Sequence, residues 1–572
     1  MSRKIAVVAA VALTVAGAAG AARAQQKVRR LPVKQYVDKM KAGWIGQMAG
    51  VGWGGPTEFK WKGKIMPEDR MPKWTPGRIN QFRQDDIYVE MTFLRTLEVY
   101  GLDAPIRQAG IDFANSGYPL WHANRAGRDN LRRGIAPPDS GHPKFNRHAD
   151  DIDYQIEADF SGLIAPGLPS TAIALGEVFG RLMNYGDGVY GGQFVGAMYA
   201  EAFFADDMLK IVARALRAIP SGSQYHECIS DVLAWYKQNP DDWQKTWKLI
   251  NDKYHLNPKY RRFSCSGPKS EFNIDAKING AYIVMGLLYG KRDPDRTIII
   301  STRCGQDSDC NPSNAGGVLF TTIGFSKLPE RFTSALDPKG KFSHTPYDFP
   351  TLVTVCEKLA RQAVVKAGGK IVKDETGEEV FLIPPAKFVP GKLEQCWEPG
   401  PIADSKFTDE EMKKIKAPAP RRREGSAARI DINQAVGKFA PGWKVSDCGA
   451  DMDPGLRDDW GGRKKVLVTH PLSRSVPCVL SRKVEVPAGK KTVLGLVVAN
   501  DPRGDWVLIV RADDKELLKA PISKATCKDG WREVSVDLSA WAGKAVTLKL
   551  HNQANGWSWE AGYWSKIAIE SE

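Results

Sequence analysis

Hydrophobic positions recur at helical spacing over the first part of the chain and alternate near its end. Over 33–49, Tyr36, Met40 and Ile45 fall toward one side, which predicts a helix. Asp85 and Asp86 open a second amphipathic helix, with Val89, Phe93, Leu94 and Leu97 among its apolar positions. Helical patterns follow at 194–204, 206–218, 226–238, 241–251 and 275–289. From Ile430 the pattern changes: Val546, Leu548 and Leu550 alternate with Thr547, Lys549 and His551, as in a half-buried antiparallel strand. Strands are also expected at 493–499, 506–511, 534–538 and 564–569. The chain is therefore read as multidomain, with an all-α domain over 30–370 and an antiparallel β-sandwich over 427–572. Residues 371–426 connect them, and 413–426 has linker composition. A length of 572 residues also calls for more than one core.

Glycine and loop signals refine this picture. Gly43, Gly46 and Gly50 permit close helix packing, whereas Gly52, Gly54 and Gly55 are expected to break the helix into a tight loop that delivers Glu58. Residues 115–150, with Trp121 and His122, read as a long irregular segment of the kind that lines a substrate site. The acid-rich stretch from His148 through Asp150, Asp151 and Asp153 to Phe160 is expected to enter the core. Residues 184–192, which include Tyr190, read as a flexible loop.

Charge and cysteine content narrow the function. Arg3 and Lys4, an apolar run from Ile5 to about Ala19, and Ala22-Arg23-Ala24 predict a cleaved secretory signal over 1–24. No later run is apolar enough to span a membrane, so a secreted or periplasmic protein with no transmembrane segment after cleavage is expected. Loss of Arg3, Lys4 and Arg23 lowers the formal charge from +15 to +12. The positive residues are scattered among acids and accompany no nucleic-acid motif, so no nucleic-acid partner is expected. Nine cysteines lack paired CxxC spacing, which argues against a structural zinc site and leaves disulfide pairing open.

Two acidic motifs carry the candidate chemistry. In Arg303-Cys-Gly-Gln-Asp-Ser-Asp-Cys-Asn-Pro312, Asp307 and Asp309 precede a helix start, with Asn311 as the expected N-cap and Pro312 at the first helical position. An EF-hand reading fails, because Pro312 and Val318 occupy the places of its glycine and closing glutamate. Asp85 and Asp86 repeat the logic at another helix start. Two such pairs suggest a cradle of hard oxygen ligands for a cation.

Together these motifs resemble the ADP-ribosylglycohydrolase superfamily, the dinitrogenase-reductase-activating glycohydrolase fold. Gly54-Gly-Pro-Thr-Glu-Phe59 is similar to its glycine-rich motif, Gln84-Asp-Asp-Ile87 to its Thr/Ser-Asp-Asp-Thr motif, and Gly305-Gln-Asp-Ser-Asp-Cys-Asn311 to its Gly-Gly-Asp-Thr-Asp-Thr-Asn motif. The resemblance implies an all-α fold with one or two divalent ions, Mg²⁺ foremost and Ca²⁺ or Mn²⁺ as alternatives. Their ligands would be Asp85, Asp86, Asp307 and Asp309. Gln84, Ile87 and Cys310 stand where the family has hydroxyl residues, Gln306 where it has glycine, and Val51 where it has aspartate. A thiol is a poor Mg²⁺ ligand, so one hard-metal site is expected, with a second ion weak or absent. Trp531, Val534–Lys544 and Gly562–Ile569 resemble a galactose-binding-type, carbohydrate-binding sandwich, in which Trp557, Trp559 and Trp564 are candidates to stack on sugar.

The expected activity is an exported, metal-assisted glycoside hydrolase acting on a cis-diol-bearing, possibly furanosidic, sugar. Glu58, Asp85, Asp86 and Asp307 are the catalytic candidates, with Glu58 as acid/base. Gln84, His148, Asp150, Asp153, Tyr190 and Gln306 are the candidates for substrate contact. The alternatives are release of ADP-ribose from a modified protein or small molecule, and glycan binding without catalysis.

Overall fold

The glycines of the first helix set the centre of the N-terminal domain. In the computed structural model, which describes residues 28–416, 432–449, 451–472, 474, 476–556 and 559–572, this helix runs from Val33 to Gly54. The expected signal segment, most of the linker and Trp557 lie outside the described residues. The helix packs along Cys310–Ile323, and only glycine allows the approach. A Cβ at Gly46, Gly50 or Gly54 would stand 2.3, 2.2 and 2.2 Å from the carbonyl oxygens of Gly316, Pro312 and Ser308. Gly52 and Gly54 therefore continue the helix rather than break it. The chain turns at Gly55–Thr57 instead, where Pro56 opens a short 3₁₀ turn leading to Glu58.

Helices Asp85–Tyr100, Asp187–Ala202, Ala276–Tyr289 and Pro294–Arg303 complete the surroundings of this pair. Their interior is apolar and aromatic, with Trp44, Tyr36, Tyr199 and Tyr282 fully buried. The 115–150 region is more regular than its composition suggests, because His122–Arg132 forms a helix. Residues 184–192 are likewise not a loop throughout. Gly186, with φ +52°, starts the Asp187–Ala202 helix, so Tyr190 is helical and buried. The acidic stretch from Asp150 enters the core as expected, and Asp150, Asp151, Asp153, Glu157 and Asp159 are all buried.

A three-stranded antiparallel sheet closes the helical domain, with Glu379–Ile383 between Arg29–Pro32 and Lys370–Lys373. The C-terminal domain is a β-sandwich of two five-stranded antiparallel sheets. One runs Lys515–Ile522, Trp506–Ala512, Ala545–Ala554, Cys478–Glu485, Lys444–Ser446. The other runs Arg532–Asp537, Thr492–Asn500, Gly562–Ser571, Arg463–Thr469, Gly455–Trp460. Leu548 and Leu550 of the expected alternating strand face the core between them, with Trp506 and Trp564. Trp564 donates its Nε1–H to Thr469 Oγ1 at 2.9 Å, so it is a core residue and not a sugar platform. Trp559 is exposed and carries the Arg503 guanidinium 3.4 Å above its ring centroid. The nine cysteines stand as free thiols. Among the described residues no helix is long and apolar enough to cross a membrane.

Candidate active site

Three chain segments meet where the first helix ends. The 57–61 segment is stitched to the acidic turn by Phe59 N–H to Gln306 O at 3.2 Å and Gln306 N–H to Trp61 O at 3.2 Å. The hydroxyls of Thr57 and Ser308 lie 2.8 Å apart. The turn itself needs two left-handed residues, Gly305 at φ +82° and Gln306 at φ +56°. A Cβ at Gly305 would sit 2.2 Å from Trp61 O, so glycine is required there. Gln306 adopts the same region with a side chain, at a cost of about 1–2 kcal/mol. That side chain accepts from Asn273 N–H and donates to Glu271 O, both at 2.9 Å. It fastens the 271–273 segment rather than pointing at a ligand.

The helix after the turn begins at Cys310, two residues earlier than the Asn311 cap predicts, and Asp309 makes no side-chain capping bond. Asn311 is spent elsewhere, donating its amide to Asn279 Oδ1 at 2.9 Å. Asp307 and Asp309 are thereby left to face other acids. Oxygens of Asp307 and Asp309 and the Cys310 sulfur lie within 4.8 Å of one another. The Cys310 thiol also donates to Asp86 Oδ2 at 3.2 Å, linking the two acidic motifs. Asp86, Asp307 and Asp309 are 0%, 2% and 3% exposed.

Their electrostatics show what the cluster lacks. Burial first, then Asp309, pushes Asp85 up to about 6. Burial, then Asp85 and Asp309, holds Asp86 well above the carboxylate range. Asp307 is raised by burial, Asp309 and Glu58. Glu58 reaches solvent at the rim, yet burial of its carboxyl together with Asp309 and Asp85 pushes it up to about 8. Asp86 Oδ1 and Asp307 Oδ1 are buried without a hydrogen-bond donor. Convergent hard oxygens with unmet lone pairs fit one divalent cation. The four aspartates are the residues that could hold it, while the Cys310 thiol acts as a donor to Asp86.

The acids open into a cavity of about 540 Å³ lined by Glu58, Gln84, Asp85 and Asp307. Phe59, Tyr88, Trp121 and Phe272 supply aromatic faces, and Lys62, Arg83 and Arg147 supply positive charge. Gly449, Asp451 and Leu472 of the sandwich also line it. His148 and Asp153 are present, but Asp153 accepts the N–H groups of Ala123 (3.1 Å) and Asn124 (3.0 Å), so it fixes the His122–Arg132 helix. His148 Nδ1 lies 2.6 Å from Asp151 Oδ2. Burial, His148 and Arg147 lower His122 to about 3.

Besides Gln306, two more expected substrate residues lie outside the cavity lining. Asp150 belongs to a buried charge cluster in which Lys277 Nζ lies 3.4, 3.8 and 4.0 Å from Asp275, Asp150 and Asp187. The Tyr190 hydroxyl donates to Lys392 O at 2.8 Å and accepts from Glu394 N–H at 2.7 Å, clasping the connecting segment. Sequence patterns missed Lys62, Tyr88, Cys265, Phe272 and Asp451 as pocket residues. Each is an ordinary residue in its local stretch, and only the tertiary fold brings it to the cavity.

Among solved structures, an "ADP-ribosylglycohydrolase-related protein complex" is 13% identical, with a TM-score of 0.38 over 58% of this chain and 99% of that one. A TmCBM61 structure with beta-1,4-galactotriose is 16% identical, with a TM-score of 0.18 over 24% and 92%. The Stig cyclase Fisc from Fischerella sp. TAU is 11% identical, with a TM-score of 0.19 over 23% and 86%. No curated protein matches the chain. The model of the ADP-ribosylglycohydrolase family matches residues 32–368, the helical domain with all three acidic and glycine-rich motifs. The chain belongs to the ADP-ribosylglycohydrolase family.

Proposed function

We propose that this glycohydrolase-like protein is an exported, metal-assisted glycoside hydrolase acting on a sugar with vicinal hydroxyls. The supporting observation is that Glu58, Asp85 and Asp307 line the 540 Å³ cavity while the buried Asp86 and Asp309 lie close enough to raise their neighbours' carboxyl groups. Asp85, Asp86, Asp307 and Asp309 would hold one Mg²⁺-class ion, with Mn²⁺ and Ca²⁺ as alternatives. Such an ion supplies Lewis acidity to oxygens at the reacting centre. Glu58 stands at the rim as the acid/base, giving a proton from its carboxyl to the leaving oxygen and recovering it from water. Phe59, Tyr88, Trp121 and Phe272 would cover the apolar faces of the sugar, and Gln84 and His148 would contact its hydroxyls. Gly449, Asp451 and Leu472 make the sandwich part of the cavity wall, so it would shape the substrate as well as bind glycan.

A second reading, release of ADP-ribose, is favoured by Lys62, Arg83 and Arg147 around the cavity, which suit a diphosphate. One screen separates the two. The chelator-treated protein, resupplied with Mg²⁺, Mn²⁺ or Ca²⁺, is offered furanosides, plant and microbial glycans, and ADP-ribosylated peptides. Sugar release from glycans supports the first reading, and free ADP-ribose supports the second. Binding without turnover across the panel would leave a glycan-binding protein. Asp309→Ala should lower turnover by at least about a hundredfold while circular dichroism is unchanged. Retained turnover in that variant would sink the metal-assisted mechanism.

A further inference from the structure

A second group of metal-ligating side chains lines the same cavity but contains none of the cradle aspartates. One ligand atom each from His122, His148, Asp151 and Cys265 lies within 4.8 Å of the others. His148 Nδ1 is 2.6 Å and His122 Nδ1 3.5 Å from Asp151 Oδ2, and the two imidazole rings stand 5.3 Å apart, edge to face. Asp151 is 0% exposed, and its Oδ1 has no hydrogen-bond donor. His122 Nδ1 is also buried and makes no hydrogen bond. His122, His148 and Cys265 all reach the cavity.

The donor set differs in kind from the all-oxygen cradle. Two imidazoles, a thiol and a carboxylate are the ligands of a borderline ion, four-coordinate and tetrahedral, with bonds of roughly 2.0–2.3 Å. Ligand atoms about such an ion stand roughly 3.3–3.8 Å apart, so small side-chain rotations suffice to close the group. Mg²⁺ would find too few oxygens here.

We infer that His122, His148, Asp151 and Cys265 form a site for one zinc-class divalent ion, on the wall of the cavity and separate from the aspartate cradle. Binding displaces the Cys265 thiol proton to solvent and leaves a thiolate ligand. The Arg147 guanidinium, which donates its Nε–H to His148 Nε2 at 3.1 Å, is exposed and free to turn aside as that ring accepts the ion. The inference stands without the glycohydrolase reading, since its readout is metal content and spectroscopy.

The test uses the full mature chain, stripped with chelator and loaded with ZnCl₂ or CoCl₂ in excess Mg²⁺. About one zinc per chain should remain after desalting, with a higher melting temperature. The cobalt form should show a thiolate-to-metal charge-transfer band that Cys265→Ser abolishes and Cys310→Ser preserves. His148→Gln, with a circular dichroism spectrum like that of the parent, should lose the retained zinc. Absence of retained zinc, or a cobalt band that survives Cys265→Ser and vanishes in Cys310→Ser, would overturn the inference.

Discussion

Single atoms decide how close the acidic motifs come to one another. Gly54 is the clearest case, because a methyl group there would press on Ser308 O at 2.2 Å and the Asp309 Cα at 2.6 Å. Gly54→Ala is expected to destabilise the helical domain by about 1–3 kcal/mol, measured by urea denaturation. It should also weaken cation binding, since the backbone that must yield carries Asp307 and Asp309. Cys310 works in the same small space. Its thiol donates to Asp86 in the place where the family has a hydroxyl, so the four aspartates proposed as hard ligands would gain no fifth from it. Gln306 shows the reverse trade, a left-handed residue whose strain is offset by two hydrogen bonds to the 271–273 segment.

Elements are held in place by buried charge as much as by apolar packing. Lys277, 1% exposed near the start of the Ala276–Tyr289 helix, ties Asp150, Asp187 and Asp275 from three segments. Burial lowers its pKa, but the three carboxylates raise it above the ordinary lysine value, so it stays charged. Lys277→Met should therefore cost about 3–5 kcal/mol by denaturant titration, because it strands three buried acids. His255 gives the helical domain an acid limit. Burial, then Arg261, lowers it from 6.5 to about 4, so the folded state holds it neutral. The unfolded chain binds that proton first. Its contribution, on the order of 3 kcal/mol, is present above pH 6.5 and lost as pH falls through about 4. An NMR titration should show the His255 ring uncharged at pH 5, and a normal midpoint near 6.5 would contradict this.

At the scale of the whole molecule, the cavity is shared between domains and the cradle is short of positive charge. After burial, the neighbours that raise Asp86 and Asp307 are mostly other acids, a repulsion that the proposed cation would relieve. Chelator treatment should lower the melting temperature, and Mg²⁺ or Mn²⁺ should restore it in the parent but not in Asp309→Ala. The sandwich reaches the same cavity through Gly449, Asp451 and Leu472, and Lys269 pairs with Asp447 at 3.4 Å across the domain boundary. Its place beside the chemistry is a property of the assembled chain.

The sequence by itself determined the division into a helical domain and a β-sandwich, because periods of 3.6 and 2 are written into side-chain order. It also marked Glu58, Asp85, Asp86, Asp307 and Asp309, since glycine-rich turns and paired acids at helix starts are local signals. It misjudged the path after Gly50, where helix-compatible glycines looked like breakers until their packing partner Cys310–Ile323 was in view. It also misplaced Tyr190 in a loop, although the Asp187–Ala202 helix is stabilised by full burial and not by local propensity. Only the tertiary structure brought His122, His148, Asp151 and Cys265 together, and only it set Asp150 apart with Lys277. His122 and Cys265 are 143 positions apart, and contacts at that range follow from packing, which no local pattern encodes.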